Sequence, residues 1–217
     1  QPDYIRAVTL RKALADQPEV QTVIIKNKHT GVLRYPEMVL RLTWLRLHHH
    51  PDSYLITFRG YELLPFAAVL TYPRKLIFDE MVNPLGWLNE PRPELWAKLI
   101  PKRLLWHFYR LLLKRCQLVL SDTSAHADYS ATLMKLPRRK FADLPVSTDE
   151  RLFKPTSSKS EGFQVFYYGN MLPLHGLPMV LDSAIALQAE PIRFLIVGGT
   201  KNMAELVAGA QSAGANI

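Results

Sequence analysis

Apolar positions along this chain follow two rhythms. In some stretches they recur at helical spacing, and in others they run together in short unbroken blocks. The helical rhythm predicts helices over residues 4–14, 36–47, 63–70, 99–116, 125–134, 177–187 and 203–213. The blocks predict strands over 20–25, 54–58, 75–78, 118–120, 141–146, 163–168 and 192–197, with another beginning at 215–217. Blocks without polar alternation suit strands buried on both faces. Helices between such strands make parallel crossover units, so the fold class is α/β.

The stretch 163–199 shows the pattern most fully. One block ends at Gly169-Asn170, a loop with Pro173 leads to His175-Gly176 and a helix, and the next block ends at Gly198-Gly199-Thr200-Lys201. Ligands of such folds sit beyond the carboxyl ends of the strands, where free amides at helix starts favour anions and phosphate above all. The candidate binding residues are therefore Gly169, Asn170, His175, Gly176, Gly198, Gly199 and Lys201. The same glycines would equally serve as plain turns.

Other strand ends also carry polar residues. The block at 54–58 runs into Arg59-Gly60-Tyr61-Glu62, the block at 75–78 into Asp79-Glu80, and the block at 118–120 into Ser121-Asp122-Thr123. Glu62 fits a strand-end site and equally a favourable pairing with a helix dipole. Residues 81–101 form a long connection rich in proline and tryptophan, a length associated with lids and binding loops. His48-His49-His50 are consecutive and precede Pro51, so they read as a connector and not as a helical metal pair.

Composition narrows the picture. The chain has 217 residues, 48% hydrophobic and 21% charged, which is an ordinary globular balance with room for two modest domains. A net charge of +8 and a pI near 9.6 point to an anionic partner. The basic residues are scattered, without an RNA- or DNA-binding motif, so nucleic acid is not the expected partner. The basic amphipathic helix at 99–116 suits peripheral contact with an anionic membrane surface, and equally a core helix with snorkelling cations. No uninterrupted apolar run approaches the ~18 residues of a membrane span. The one cysteine, Cys116, excludes an internal disulfide and fits a reducing compartment, as a buried structural thiol. The polar stretch 155–162 is the expected boundary between a first domain, 1–155, and a second, 161–217. The first lacks an opening strand and the second stops early, so the chain reads as a piece of a longer protein.

The segment LVLSDTSAHADYSATLMKLPRRKFADLPVSTDERLFKP, followed by FQVFYYGNMLPLHGLPMVLDSAIAL and FLIVGG, resembles the family-4 glycosyltransferases of the GT-B fold. The likeness covers residues 118–199, and more loosely TFRGYELLP and LIFDEMVNP. It implies two Rossmann-like domains, the second truncated here. It also implies transfer of a sugar from a nucleotide-diphosphate sugar to a glycan or lipid-linked acceptor, with retention and without metal or other cofactor. A bacterial enzyme of cell-surface polysaccharide synthesis, in the cytoplasm or at the inner face of the plasma membrane, is the setting it suggests. By position, Gly169, Asn170, His175 and Gly176 fall on the diphosphate loop, and Gly198, Gly199 and Lys201 near the nucleotide. Asp79 and Glu80 become the candidate catalytic residues, with Arg59, Glu62 and Ser121 on the acceptor side.

Three positions depart from the family pattern. Asn170 stands where many members have arginine, His175 where many have lysine, and Ser147 where the hinge has glycine. The family's paired glutamates, which contact donor sugar and ribose, would lie past Ile217. These 217 residues are therefore not expected to turn over substrate alone. A nucleotide-binding module without catalysis is the alternative.

Overall fold

The computed structural model describes residues 4–57, 60–87, 101–148, 153–154, 162–169, 175–199 and 201–217. The chain divides into two compact units, Gln1–Phe153 and Lys154–Ile217, each with its own hydrophobic cluster.

The first unit is built on four parallel strands, β1 (Ser53–Ile56), β2 (Lys75–Asp79), β3 (Leu118–Ser121) and β4 (Phe141–Asp143), in spatial order β1-β2-β3-β4. Parallel neighbours need crossovers. These are supplied by α3 (Leu64–Leu70), by α4 (Pro84–Trp87) with α5 (Lys102–Arg115), and by α6 (Ser124–Met134). Two further helices, α1 (Ile5–Ala15) and α2 (Arg34–His49), precede the sheet. The architecture is that of a Rossmann-like α/β layer.

The register sets Ile56, Phe78, Val119 and Phe141 side by side on one face, and three of the four are fully buried. Leu64, Ala67, Leu113, Ala127 and Met134 from the crossover helices complete this core. Cys116 belongs to it, and burial pushes its thiol up to about 12, which fits the structural role expected of it. On the opposite face Leu55, Ile77, Leu118 and Leu120 are only half-buried.

Local chemistry explains the helix ends. α2 stops at His50, which takes a left-handed conformation (φ 46°) because Pro51 behind it disfavours another helical residue. α6 starts at Thr123, whose hydroxyl accepts from the His126 amide at 3.1 Å. It ends at left-handed Lys135, with the Leu136 amide reaching back to Ala131 O at 3.0 Å and Leu136 buried beyond it.

Two sequence-based expectations fail here. Residues 20–25 form no strand. The amides that follow find a side chain instead: Lys28 and His29 both donate to the Glu37 carboxylate at 2.8–3.0 Å, joined by Arg41 at 2.8 Å. Those donors, the His29 amide first, hold Glu37 down at about 2. The fourth strand is also shorter than the apolar block that announced it, pairing with β3 over Phe141–Asp143 alone. The long connection 81–101 contains a short helix, α4, and its residues 88–100 lie outside those described.

The second unit pairs β5 (Phe163–Tyr168) and β6 (Ile192–Val197) in parallel along their whole length, with α7 (Leu177–Ala186) crossing between them and α8 (Lys201–Ser212) following. Both helices pack on one face, where Leu177, Leu181, Phe194 and Met203 are buried and Val165, Tyr167 and Ile196 lean against them. The opposite face, with Phe166, Tyr168, Leu195 and Val197, is exposed. Burial on both faces was expected from the unbroken apolar blocks. Both helices of this unit cover the same side, so one face stays bare. Past α8, Asn216 bonds the outer edge of β6 through its carbonyl to Phe194 N (2.8 Å) and its side chain to Ile192 O (3.0 Å).

Candidate functional site

In the second unit the equal lengths of β5 and β6 bring their glycines level. The Gly169 amide donates to Val197 O at 3.0 Å, which sets Gly169 beside Gly198. A Cβ on Gly198 would stand 2.4 Å from Gly169 O and 2.6 Å from the Met203 Sδ, so only glycine fits between the two strand ends and α8. A Cβ on Gly169 would meet His175 Nδ1 at 2.9 Å and the Tyr167 hydroxyl at 3.0 Å. Gly176 takes a left-handed conformation (φ 63°) as the N-cap of α7. Gly199 has nothing within 4 Å of its missing Cβ and is open.

Gly169, His175, Gly176 and Gly198 thus converge at one edge, with Lys201 opening α8 and Gly199 just before it. His175 and Lys201 are exposed. Asn170 lies outside the described residues.

The electrostatics of this edge are one-sided. Neither α7 nor α8 has an acidic residue in its first turn, where carboxylates are normally favoured by the helix dipole. Lys201 occupies the first position of α8, where a cation works against that dipole. An anion at this edge would be favoured by both helix starts and by Lys201 together. Tyr167 and Met203 were not singled out from sequence. The signal was present for Met203, which opens the apolar spacing of its helix soon after Gly198-Gly199.

The strand ends of the first unit are filled. The two-residue alternation of β2 sends Asp79 and Glu80 to different neighbours. Asp79 receives Arg6 Nε from α1 at 2.7 Å, with both side chains essentially inaccessible, and Arg6 also donates to Leu144 O. Glu80 accepts from the Tyr109 hydroxyl at 2.6 Å and from Asn83 Nδ2 at 3.3 Å, while Asn83 also donates to Ser130 at 3.1 Å. Burial raises the Glu80 carboxyl above its ordinary value, and the Ser130 and Tyr109 hydroxyls only partly oppose this. The same enclosure, with Glu80 beside it, pushes the Tyr109 phenol well up.

The two carboxyls expected as catalytic residues are therefore neighbours in sequence that serve separate buried clusters. Asp79 and Glu80 are both 0–1% exposed, and reaching a substrate would require the groups around them to part. In the arrangement seen here they tie strand ends to helices. Ser121 is buried as well, and its hydroxyl has no partner among the described residues.

Glu62 stands elsewhere, in the single helical turn Gly60–Glu62, accepting from Arg34 Nη2 at 2.5 Å and from the Tyr35 hydroxyl at 2.8 Å. Its partners are therefore two side chains of α2, and not the helix dipole expected as the alternative to a site. Arg59 lies outside the described residues.

Arg6 is the residue that sequence reasoning missed in this unit. Nothing in the local pattern marks it: along the same side of α1 Leu10 is half-buried and Ala13 exposed. His48 and His49 pack around Trp44, the first stacked at 4.8 Å and bonded to Trp44 O at 2.9 Å. Among the described residues no group of three His, Cys, Asp or Glu side chains is placed to hold a metal ion, and no helix is long and apolar enough to cross a membrane.

Neither the models of known protein families nor the curated proteins give a match to this chain.

Proposed function

We propose that the chain is a glycosyltransferase of the GT-B type, which moves a sugar from a nucleotide-diphosphate sugar to a glycan or lipid-linked acceptor. The observation that carries this reading is the edge built by Gly169, His175, Gly176 and Gly198. Two parallel strand ends, two helix starts without acidic residues, and an exposed His175 and Lys201 meet there. In the reaction, charge develops on the departing nucleoside diphosphate. Oriented amides at the start of α7, with His175 and Lys201, are the donors that would stabilise it.

Gly199 would let the nucleotide approach the backbone closely, since no neighbour of the chain requires a glycine there.

A second reading, a nucleotide-binding module without catalysis, is favoured by one observation: Asp79 and Glu80 are enclosed and committed to Arg6 and Tyr109.

Titration calorimetry with nucleoside diphosphates, nucleotide sugars and nucleoside monophosphates tests both readings. Diphosphates should bind more tightly than monophosphates, and Lys201→Gln should weaken diphosphate binding by roughly fivefold or more, the worth of one charge-assisted contact. Gly199→Ala should weaken binding without lowering stability. Absence of any nucleotide binding would remove both readings. Binding of nucleotide sugars without sugar transfer, by the protein as it occurs in its cell, would leave the module.

A further inference from the structure

We infer that the outward side of α2, α3 and α5 is a docking surface for an anionic lipid bilayer. A helix that packs on a core needs one apolar stripe, and each of these helices has it: Leu45 on α2, Leu64 and Ala67 on α3, Leu112 and Leu113 on α5 are buried. Each also has a second apolar ridge facing solvent. On α2 it is Leu40, Trp44 and Leu47, spaced i, i+4, i+7 and exposed at 70%, 53% and 62%. On α5 the same spacing returns in Leu104, Phe108 and Leu111, all exposed. Between them α3, which packs against both α2 and α5, exposes Phe66 and Val69. Solitary exposed leucines need no explanation, but ridges repeated on three packed helices do.

Charge selects the occupant. Neither α3 nor α5 contains an acidic residue, and exposed Arg103 and Lys114 flank the α5 ridge. The one acid of α2, Glu37, is occupied by the Lys28 and His29 amides and by Arg41. An apolar face bordered by cations, with anions absent or tied up, matches the boundary between acyl chains and acidic headgroups. A second copy of the chain would bring cations against cations on this face, so self-association is disfavoured. The indole of Trp44 and the phenol of exposed Tyr72, beside Arg115, are the amphipathic rings that such a boundary favours. The inference holds whether or not the second unit takes a nucleotide sugar.

Co-sedimentation of the chain with vesicles tests it. Binding is expected to vesicles of phosphatidylcholine with phosphatidylglycerol, to fall with added salt, and to be weak on phosphatidylcholine alone. Arg103→Gln with Lys114→Gln should weaken it by a few tens of fold, at ~1 kcal/mol per basic residue near an anionic surface. Trp44→Glu with Leu47→Glu should abolish it while leaving the thermal melt unchanged. In the unaltered protein, amide exchange should slow in α2 and α5 when anionic vesicles are added. No slowing there, equal binding to neutral vesicles, or a vesicle-independent dimer that the Trp44→Glu and Leu47→Glu changes dissolve would overturn the proposal.

Discussion

The carboxyl ends of the strands carry buried carboxyls in one unit and glycines in the other. At the end of β2 the first unit places two carboxyls, closes Arg6 over one and Tyr109 with Asn83 over the other, and leaves almost nothing accessible. At the ends of β5 and β6 the second unit places glycines, with His175 and Lys201 exposed. The same topological position thus serves two purposes. Filled with complementary charge it anchors helices to a sheet, and lined with glycines it lets strand ends and a helix start come close together. A polar residue at a strand end is therefore ambiguous until its neighbours are known.

The largest effect is expected at Arg6. Arg6→Met removes the guanidinium that pairs with buried Asp79, a change that costs about 3–5 kcal/mol, whereas Arg6→Met with Asp79→Leu should recover most of it. All four tryptophans lie in the first unit, so urea unfolding followed by tryptophan fluorescence reads that unit alone. Equal stability of Arg6→Met and the unaltered chain would show that the pair contributes nothing.

A smaller effect is expected on the other side. Gly198→Ala forces a Cβ against Gly169 O, which is backbone and has little freedom to move, and should cost about 1–3 kcal/mol. The loss should appear as faster amide exchange in β5 and β6, with the tryptophan-monitored transition unmoved.

The smallest effect concerns the buried carboxyl of Glu80. Its folded value is raised by burial, so the folded state holds the proton more firmly than the unfolded chain does. Stability from this source is complete below the unfolded carboxylate value of about 4.3 and is lost as pH rises through the folded value. Glu80→Gln, which keeps an acceptor for Tyr109, should flatten that decline and be slightly more stable at neutral pH. Urea midpoints measured across the pH range will decide, and an unchanged slope would assign the pH dependence elsewhere.

Much of the element order was legible because it depends on near neighbours in the chain. Thr123 capping α6, Pro51 ending α2 and the glycines ending β5 and β6 act over a few residues and can be read as they stand. Val20, Val23 and Ile24 look like strand residues and form none, because a strand also needs a partner strand and neither sheet offers one. Phe166 and Tyr168 look like two-sided core, yet their face is open because both helices of the unit cover the other side. Of the candidate site residues, Gly198 was the most legible, since close approach of the Gly169 carbonyl leaves no substitute there. Asp79 and Glu80 were the least, because their partners Arg6 and Tyr109 lie far off in sequence.

The pattern of residues alone was enough to give most of the alternation of helices and strands, their parallel order, and a division of the chain near its polar stretch before Phe163. These follow from periodicity, crossover length and local turn chemistry. Which polar residues are enclosed and which are presented, and that α2, α3 and α5 turn apolar ridges outward, depended on the packed fold. Burial is a property of what packs against a residue, and residues distant in sequence do that packing.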